Sequence, residues 1–459
     1  MADLLLTHGY FLSEDEKERE IMKPYPPLGL LYLSAYVRRA GWSVEVFDTT
    51  FASRESLEQR LNADAGVLGI YTNLITRRSV LAIAGAAHRA GWTVIAGGPE
   101  SANYPEEYLA RGVDVVVFGE GEATMVELLR VLPDVGPQAL HEVQGVAFRS
   151  DSGEVVRTDA RPQIADIDSL PWPDREAIDL ERYVDVWRTC HGAGSVNLIT
   201  ARGCPYRCQW CSHAVFGFTH RRRDPVDCAD ELQHIVDRYA PDQVWYADDV
   251  FTIHHRWLFR YADELDRRGL RVPFETISRA DRMMKEEVLA TLARMGCWRI
   301  WIGSESGSQR ILDAMERGVT AEQVRWATRA AQRHGIQVGM FLMWGYEGET
   351  ADDIAETVEH VKAANPDVFF TTVAYPIRNT GYFERVAGRV DAPGRWEEMT
   401  DRDYRIRGRP GRDYYAQADR WLRRAVEAHR IAEDDPARAE ALREEAARAE
   451  RMVRAGGAG

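Results

Sequence analysis

Three of the chain's six cysteines, Cys204, Cys208 and Cys211, fall within eight residues of the stretch TARGCPYRCQWCSH. Thiols packed so closely in a C-x3-C-x2-C spacing share a partner. Zinc sites usually draw on two separated pairs of ligands, and Cys190, Cys228 and Cys297 stand at no such spacing. His213 offers a fourth ligand, so a structural zinc held by three thiolates and one imidazole is one reading. The other is a [4Fe–4S] cluster held by three thiolates, which leaves one iron open to a small molecule. The first would brace a fold; the second would do chemistry.

The bulk numbers narrow the setting. At 459 residues the chain is long for one core, and two or three domains are expected. A net charge of −14 argues against a primarily electrostatic nucleic-acid binder, despite the local basic cluster HRRRDP from His220 to Pro225. The N-terminal stretch MADLLLTHGYFLSEDEKEREIMK lacks a basic start and turns acidic early, unlike a signal peptide. No apolar run reaches membrane-spanning length. We expect a cytoplasmic protein with neither membrane nor nucleic-acid partners. In a reducing compartment, clustered cysteines point to metal rather than disulfides.

The elements that must position the cysteines form two β/α alternations. Residues 1–135 alternate LLLTH, SVEVFD, GVLGIY, TVIAGG and DVVVFG with amphipathic segments, as in a doubly wound, Rossmann-like parallel sheet. Residues 136–189 read as a hairpin, turning at Asp151-Ser152-Gly153, and a linker around IDSLPWP. Residues 190–375 carry six further strands: SVNLIT, QVWYAD, VPFETIS, RIWIGS, QVGMFLMWG and DVFFTTV. Helix-length segments separate them, which predicts a partial (β/α)6 barrel of TIM type with chemistry at the C-terminal strand ends. The cysteines directly follow the first of these strands. Residues 376–459 read as a small, mainly helical region ending in two charged helices.

The cysteine spacing, an aromatic residue before the last cysteine and a barrel behind them resemble the radical SAM superfamily. The resemblance implies that the open iron binds S-adenosylmethionine and that an electron from the cluster cleaves it to a 5′-deoxyadenosyl radical. It assigns S-adenosylmethionine contacts to Trp210, to Asp248 in YADDVFT, and to Arg279 in SRAD. Ser304 and Glu305 in IGSESGS and Gly345 in GMFLMWGYEGET complete the set. The family's commoner Gly-Gly-Glu is absent after the second strand. Taken singly, each residue also has a structural reading: Arg279 could pair with Asp281, and Asp248 could cap a helix.

The first domain resembles the cobalamin-binding domain of the cobalamin-dependent radical SAM enzymes. PPLGLLYLSAYVRRAGWSVEVFD, IAGGPESANYPEEYLARGVDVVVFGEGEAT, DIDSLPWP and RRRDPVDCADEL carry that likeness. It implies that Gly97, Gly98, Gly119, Glu120 and Gly121 contact the cobalamin. An Asp-x-His-x-x-Gly motif, the source of a lower axial histidine elsewhere, is absent, and Glu100 stands where relatives often have histidine. His8 ends the first strand, where a lone histidine is more often structural. A nucleotide-binding or purely scaffolding domain is the alternative.

The resemblance therefore implies an enzyme using a [4Fe–4S] cluster, S-adenosylmethionine and cobalamin. The leading expectation is a methyltransferase acting on an unactivated carbon, or a phosphinate phosphorus, of a small-molecule metabolite. An oxidative cyclase or rearrangement enzyme on the same cofactors is the alternative. A non-catalytic cobalamin- or nucleotide-binding protein with structural zinc is the second. A methylthiotransferase is disfavoured, because residues 1–189 contain no cysteine. A low-potential electron donor such as flavodoxin or ferredoxin is implied as partner. Cys190 and His191, in WRTCHGAG before the first barrel strand, are expected near the cluster entrance, Cys190 most simply as a packed thiol. YPIRNTGYF beyond the last strand is expected to wall the substrate pocket.

Overall fold

Short runs rich in Val, Ile and Leu, each followed by an amphipathic helix, build the first sheet of the computed structural model, which describes residues 2–132 and 137–456. The expected boundary at residues 135 and 136 lies outside the described residues. The chain divides into two compact units. One comprises Met1–Pro205, Ser212–Val244 and Gly394–Asp401; the other comprises Tyr206–Cys211, Trp245–Pro393 and Arg402–Gly459.

In the first unit, strands β1 (Leu4–His8), β2 (Val44–Phe47), β3 (Val67–Tyr71), β4 (Thr93–Gly97) and β5 (Val115–Val117) pair in parallel. Successive residues of β1 enter opposite cores. Leu5 joins Leu68, Val94 and Val116, while Leu4 and Leu6 join Val44, Ile95 and Val117. This period of two, with both faces covered, explains why the strands read as continuous apolar runs. The expected hairpin forms as β6 (Val146–Arg149) and β7 (Val155–Arg157). It does more than link: β6 pairs antiparallel with β5, giving the order β2-β1-β3-β4-β5-β6-β7. Strand order reverses between β1 and β3, and such a reversal opens a crevice at the strand carboxyl ends.

All six later strands are present, namely β8 (Ser195–Leu198), β11 (Gln243–Tyr246), β12 (Phe274–Ser278), β13 (Cys297–Glu305), β14 (Gln337–Trp344) and β15 (Val368–Val373). Their sheet order is β15-β14-β13-β12-β11-β8, with β12 to β15 parallel. Between β8 and β11, β9 (Ala201–Arg202) and β10 (Arg221–Arg222) form a two-stranded antiparallel clamp. The helices of the second unit are sharply delimited. Thr320 with Gln323, and Thr350 with Asp353, form capping boxes, and Gly269 and Gly296 end their helices in the left-handed conformation. The charged C-terminal segment forms two helices, Arg412–Arg430 and Pro436–Gly456. No helix among the described residues is long and apolar enough to cross a membrane.

Candidate active site

The three cysteines lie on the loop between β9 and β10, whose neck is held by the pairs Arg202–Arg221 and Ala201–Arg222. Within the second unit, Gln209 anchors the crown of this loop. Its N–H donates to the Met315 carbonyl at 3.1 Å, and its carbonyl accepts from the Tyr382 N–H at 2.8 Å. Trp210 packs against the apolar cluster of Ile311, Met315, Met343, Tyr346 and Tyr382. Cys208 and Cys211 are joined by a turn in which the Cys211 N–H donates to the Cys208 carbonyl at 3.1 Å. No three His, Cys, Asp or Glu side chains converge on a single metal ion among the described residues.

Two guanidiniums address one of the cysteines. Arg279 and Arg317, 3% and 7% exposed, direct N–H groups at Cys208 Sγ from 3.8 and 3.7 Å. Arg279 follows β12 and is engaged throughout. It donates to Asp281 at 3.0 Å and to the Arg317 carbonyl at 2.8 Å, and it stacks 3.6 Å from the Tyr206 ring centre. Glu305, at a bulge that ends β13, has φ of 61° and lies 4.0 Å from Arg317 Nε. Burial pushes its carboxyl up to about 7, against the pull of Arg317 and Arg279. Two buried cations thus adjoin Cys208, facing Asp281 and, 4.0 Å from Arg317, a Glu305 carboxyl that burial inclines towards its neutral form, and uncompensated buried charge is costly. A thiolate-bound cluster supplies negative charge at that place, so the donor set fits.

The other candidates at the strand ends differ in character. Ser304 is fully buried and its hydroxyl meets His360 Nε2 at 3.0 Å, turned towards the helix Ala351–Ala364. Burial, with Arg325 nearby, pushes His360 down to about 4 and keeps it neutral. Asp248 is buried and Asp249 exposed after β11. Gly345 has φ of 73°, and a Cβ there would come 2.7 Å from the Tyr415 ring. Its N–H donates to Glu349 Oε2 at 2.6 Å.

In the first unit, a predominantly apolar cavity of about 840 Å³, its open mouth included, sits over the crevice of the sheet. Leu6, Leu30, Ile70, Ile95, Val117 and Met125 line it, as do all five expected contacts: Gly97, Gly98, Gly119, Glu120 and Gly121. At Gly97 and Gly121 an added Cβ would come no nearer than 3.9 and 4.0 Å to Val117, so the glycines leave real space for a ligand. Glu120 is held by Arg202 at 2.7 Å, Arg221 at 2.6 Å and the Ile164 N–H at 2.8 Å. Arg202 also pairs with Glu122 at 2.7 Å and stands over the rings of Tyr32 and Phe216. The basic cluster is thereby explained: Arg221 ties to Glu120, Arg222 to Thr200, and Arg223 to Asp227 and Glu231. No histidine is among the lining residues.

Comparison with known proteins finds two family models. The radical SAM superfamily matches residues 198–361, and the B12 binding domain matches residues 19–129. The chain thus carries a match to a radical SAM domain and a match to a B12 binding domain. It is 26% identical to an uncharacterized methyltransferase of Pyrococcus horikoshii, over 85% of each chain. It is 28% identical to the anaerobic magnesium-protoporphyrin IX monomethyl ester cyclase of Rubrivivax gelatinosus, over 81% of this chain and 68% of that one. The fold matches the radical S-adenosylmethionine methyltransferase TsrM of Kitasatospora setae, solved with cobalamin and a [4Fe–4S] cluster. That match has a TM-score of 0.68 at 19% identity and covers 86% of this chain and 77% of TsrM.

Three features escaped the sequence reading. Arg317, in MERGVT, joins the cysteine loop only through tertiary structure. Arg202, two residues before Cys204, drew no reading of its own yet braces the cavity. The segment Gly394–Asp401, from the region where the pattern loosens, packs into the first unit. There Asp401 meets Arg77 at 2.8 Å and Tyr104 at 2.7 Å. Cys190 is exposed on the last turn of the helix Leu180–His191, and His191 contacts the Met22 carbonyl at 2.9 Å.

Proposed function

We propose that this protein is a cobalamin-dependent radical SAM methyltransferase that methylates an unactivated carbon, or a phosphinate phosphorus, of a small-molecule metabolite. One observation carries the reading: the flanks of the cysteine loop wall the cavity of the first unit. Ile199 and Arg202 precede the first cysteine, Val215 and Phe216 follow the last, and all four line that cavity. Arg202 is two residues from Cys204, a span of at most about 7 Å of backbone. Cluster ligand and cavity wall are thus one continuous stretch of chain.

When bound, the cluster with S-adenosylmethionine supplies a one-electron route to an organic radical, and cobalamin supplies a methyl carrier. Cys204, Cys208 and Cys211 would hold the cluster. The first unit's predominantly apolar lining would offer water few hydrogen-bond partners beside a bound cofactor. Arg202, fixed between Glu120 and Glu122, keeps the cavity wall and the neck of the loop in register. Trp210, Asp248, Glu305 and Gly345 are the candidates for the S-adenosylmethionine side, and a flavodoxin- or ferredoxin-like donor in the cytoplasm would deliver the electrons. The methyltransferase of Pyrococcus horikoshii supports transfer over cyclisation.

The deciding experiment is anaerobic incubation of reconstituted protein with methyl-labelled S-adenosylmethionine and candidate metabolites, followed by mass analysis. The expected product carries the labelled methyl group. A cyclised product without label would instead align the chain with the cyclase. Stoichiometric zinc in place of about four irons would remove the radical reading altogether.

A further inference from the structure

We infer that Arg279 and Arg317 set the reduction potential of the cluster by donating hydrogen bonds to Cys208 Sγ, so that they tune electron entry as well as bracing the loop. The inference rests on the functional reading above, since it presupposes the cluster.

The geometry is specific. Both guanidiniums reach the same sulfur, at 3.8 and 3.7 Å, and both are more than nine-tenths buried. They are braced against one another, because Arg279 donates to the Arg317 carbonyl at 2.8 Å. Arg317 is fixed further by donating to the Gly303 carbonyl at 2.9 Å. Its Nε is buried with no hydrogen-bond partner, 4.0 Å from Glu305. An arginine used only to hold the backbone would not need a second N–H turned towards a metal-ligating sulfur.

The electrostatic consequence follows directly. Reduction adds one negative charge to the cluster and its thiolates. Hydrogen bonds to the sulfurs and nearby cations stabilise that charge, which raises the reduction potential. Both guanidiniums are themselves almost wholly buried, so the effect of each cation is larger than in open water. Charge-assisted hydrogen bonds are among the stronger ones, but only their difference between the two redox states counts. Losing one should lower the reduced-to-oxidised ratio at fixed applied potential about tenfold, which is about 59 mV for one electron.

The test is an anaerobic redox titration of reconstituted protein without S-adenosylmethionine, monitored by the electron paramagnetic resonance of the reduced cluster. Arg317→Gln and Arg279→Gln should keep their iron and sulfide content and become harder to reduce. Arg317→Lys, which keeps the charge but loses the fork, should fall between Arg317→Gln and the wild type. If a Gln variant fails to hold a cluster, the Lys variant decides by the same shift. An intact cluster with an unmoved or raised potential in these variants overturns the inference. Wild-type protein that assembles no four-iron cluster overturns the functional reading instead, so the two failures are distinguishable.

Discussion

The Tyr10 backbone N–H lies 3.2 Å from His8 Nδ1, which makes that nitrogen an acceptor and leaves the ring proton on Nε2, where it meets Asp48 at 2.9 Å. Tyr183 holds the other oxygen of Asp48 at 2.7 Å. Both ring nitrogens are spent inside the first unit, so His8 has none left for cobalt. Labelling the protein's histidines with ¹⁵N should therefore leave the Co(II) paramagnetic spectrum of the bound cobalamin unchanged. A label-dependent nitrogen splitting would show that an imidazole reaches the metal. His8→Ala should lower stability without altering that spectrum.

Gly97 and Gly98 adjoin in sequence and should respond differently to substitution. Gly98 has φ of +110°, and a Cβ there would sit 2.4 Å from the Thr72 carbonyl oxygen, so Gly98→Val breaks the turn itself. Gly97 has room for a Cβ, and valine would project into the cavity. Filling a packed site typically costs 1–3 kcal/mol, so Gly97→Val should weaken cobalamin binding about tenfold while the fold and iron content persist. Equilibrium titration of the variant with cobalamin reads this out. Unchanged affinity would mean the ligand does not run past β4.

Arg77, Glu100 and Asp401 form a buried cluster, 1%, 3% and 0% exposed. Removing Asp401 leaves Arg77 to Glu100 alone. Breaking a buried pair from one side costs about 3–5 kcal/mol, so Asp401→Ala should lower the urea midpoint of unfolding markedly. Arg77→Ala should do the same. If the two effects add in the double variant, the residues act independently and the ion pair is not what holds the segment.

Glu349 gives a pH dependence with a definite sign. Burial pushes its carboxyl up to about 8, although the Gly345 N–H opposes this. The folded state therefore binds the proton more tightly than the unfolded chain. The stability it contributes is complete below about 4.5 and is lost as pH rises through about 8. Thermal unfolding should show the wild type losing stability relative to Glu349→Gln between about pH 4.5 and 8, with no further loss above that. Parallel profiles would mean the carboxylate is charged in the fold at neutral pH.

Much of this molecule could be read before its structure. The strands of both sheets announce themselves because buried parallel strands are short apolar runs bounded by turn residues, as LLLTH and DVVVFG are. The cysteine triplet stands out because three thiols on one loop are a local fact, although the spacing by itself left zinc and an iron–sulfur cluster both open. What was hidden is non-local. Nothing around Arg317 distinguishes it from a solvated arginine, and only the fold brings it to Cys208. Arg279 carried two readings: its pairing with Asp281 is present, and the guanidinium also reaches Cys208 and a carbonyl. Ser304 sits at a strand end, but the alternation of β13 turns its hydroxyl to His360.

The return of Gly394–Asp401 to the first unit has a consequence for biosynthesis. During translation the cobalamin-binding sheet emerges early, but Arg77 waits for Asp401 until most of the chain has left the ribosome. Until then a guanidinium destined for full burial has Glu100 as its only acidic partner from that trio. The first unit thus cannot reach its final form as an autonomous nascent domain. A chain terminated anywhere before residue 394 should yield a first unit with a loosened region around Arg77. Domain-by-domain expression of this protein would then fail at a place that the domain boundaries themselves do not reveal.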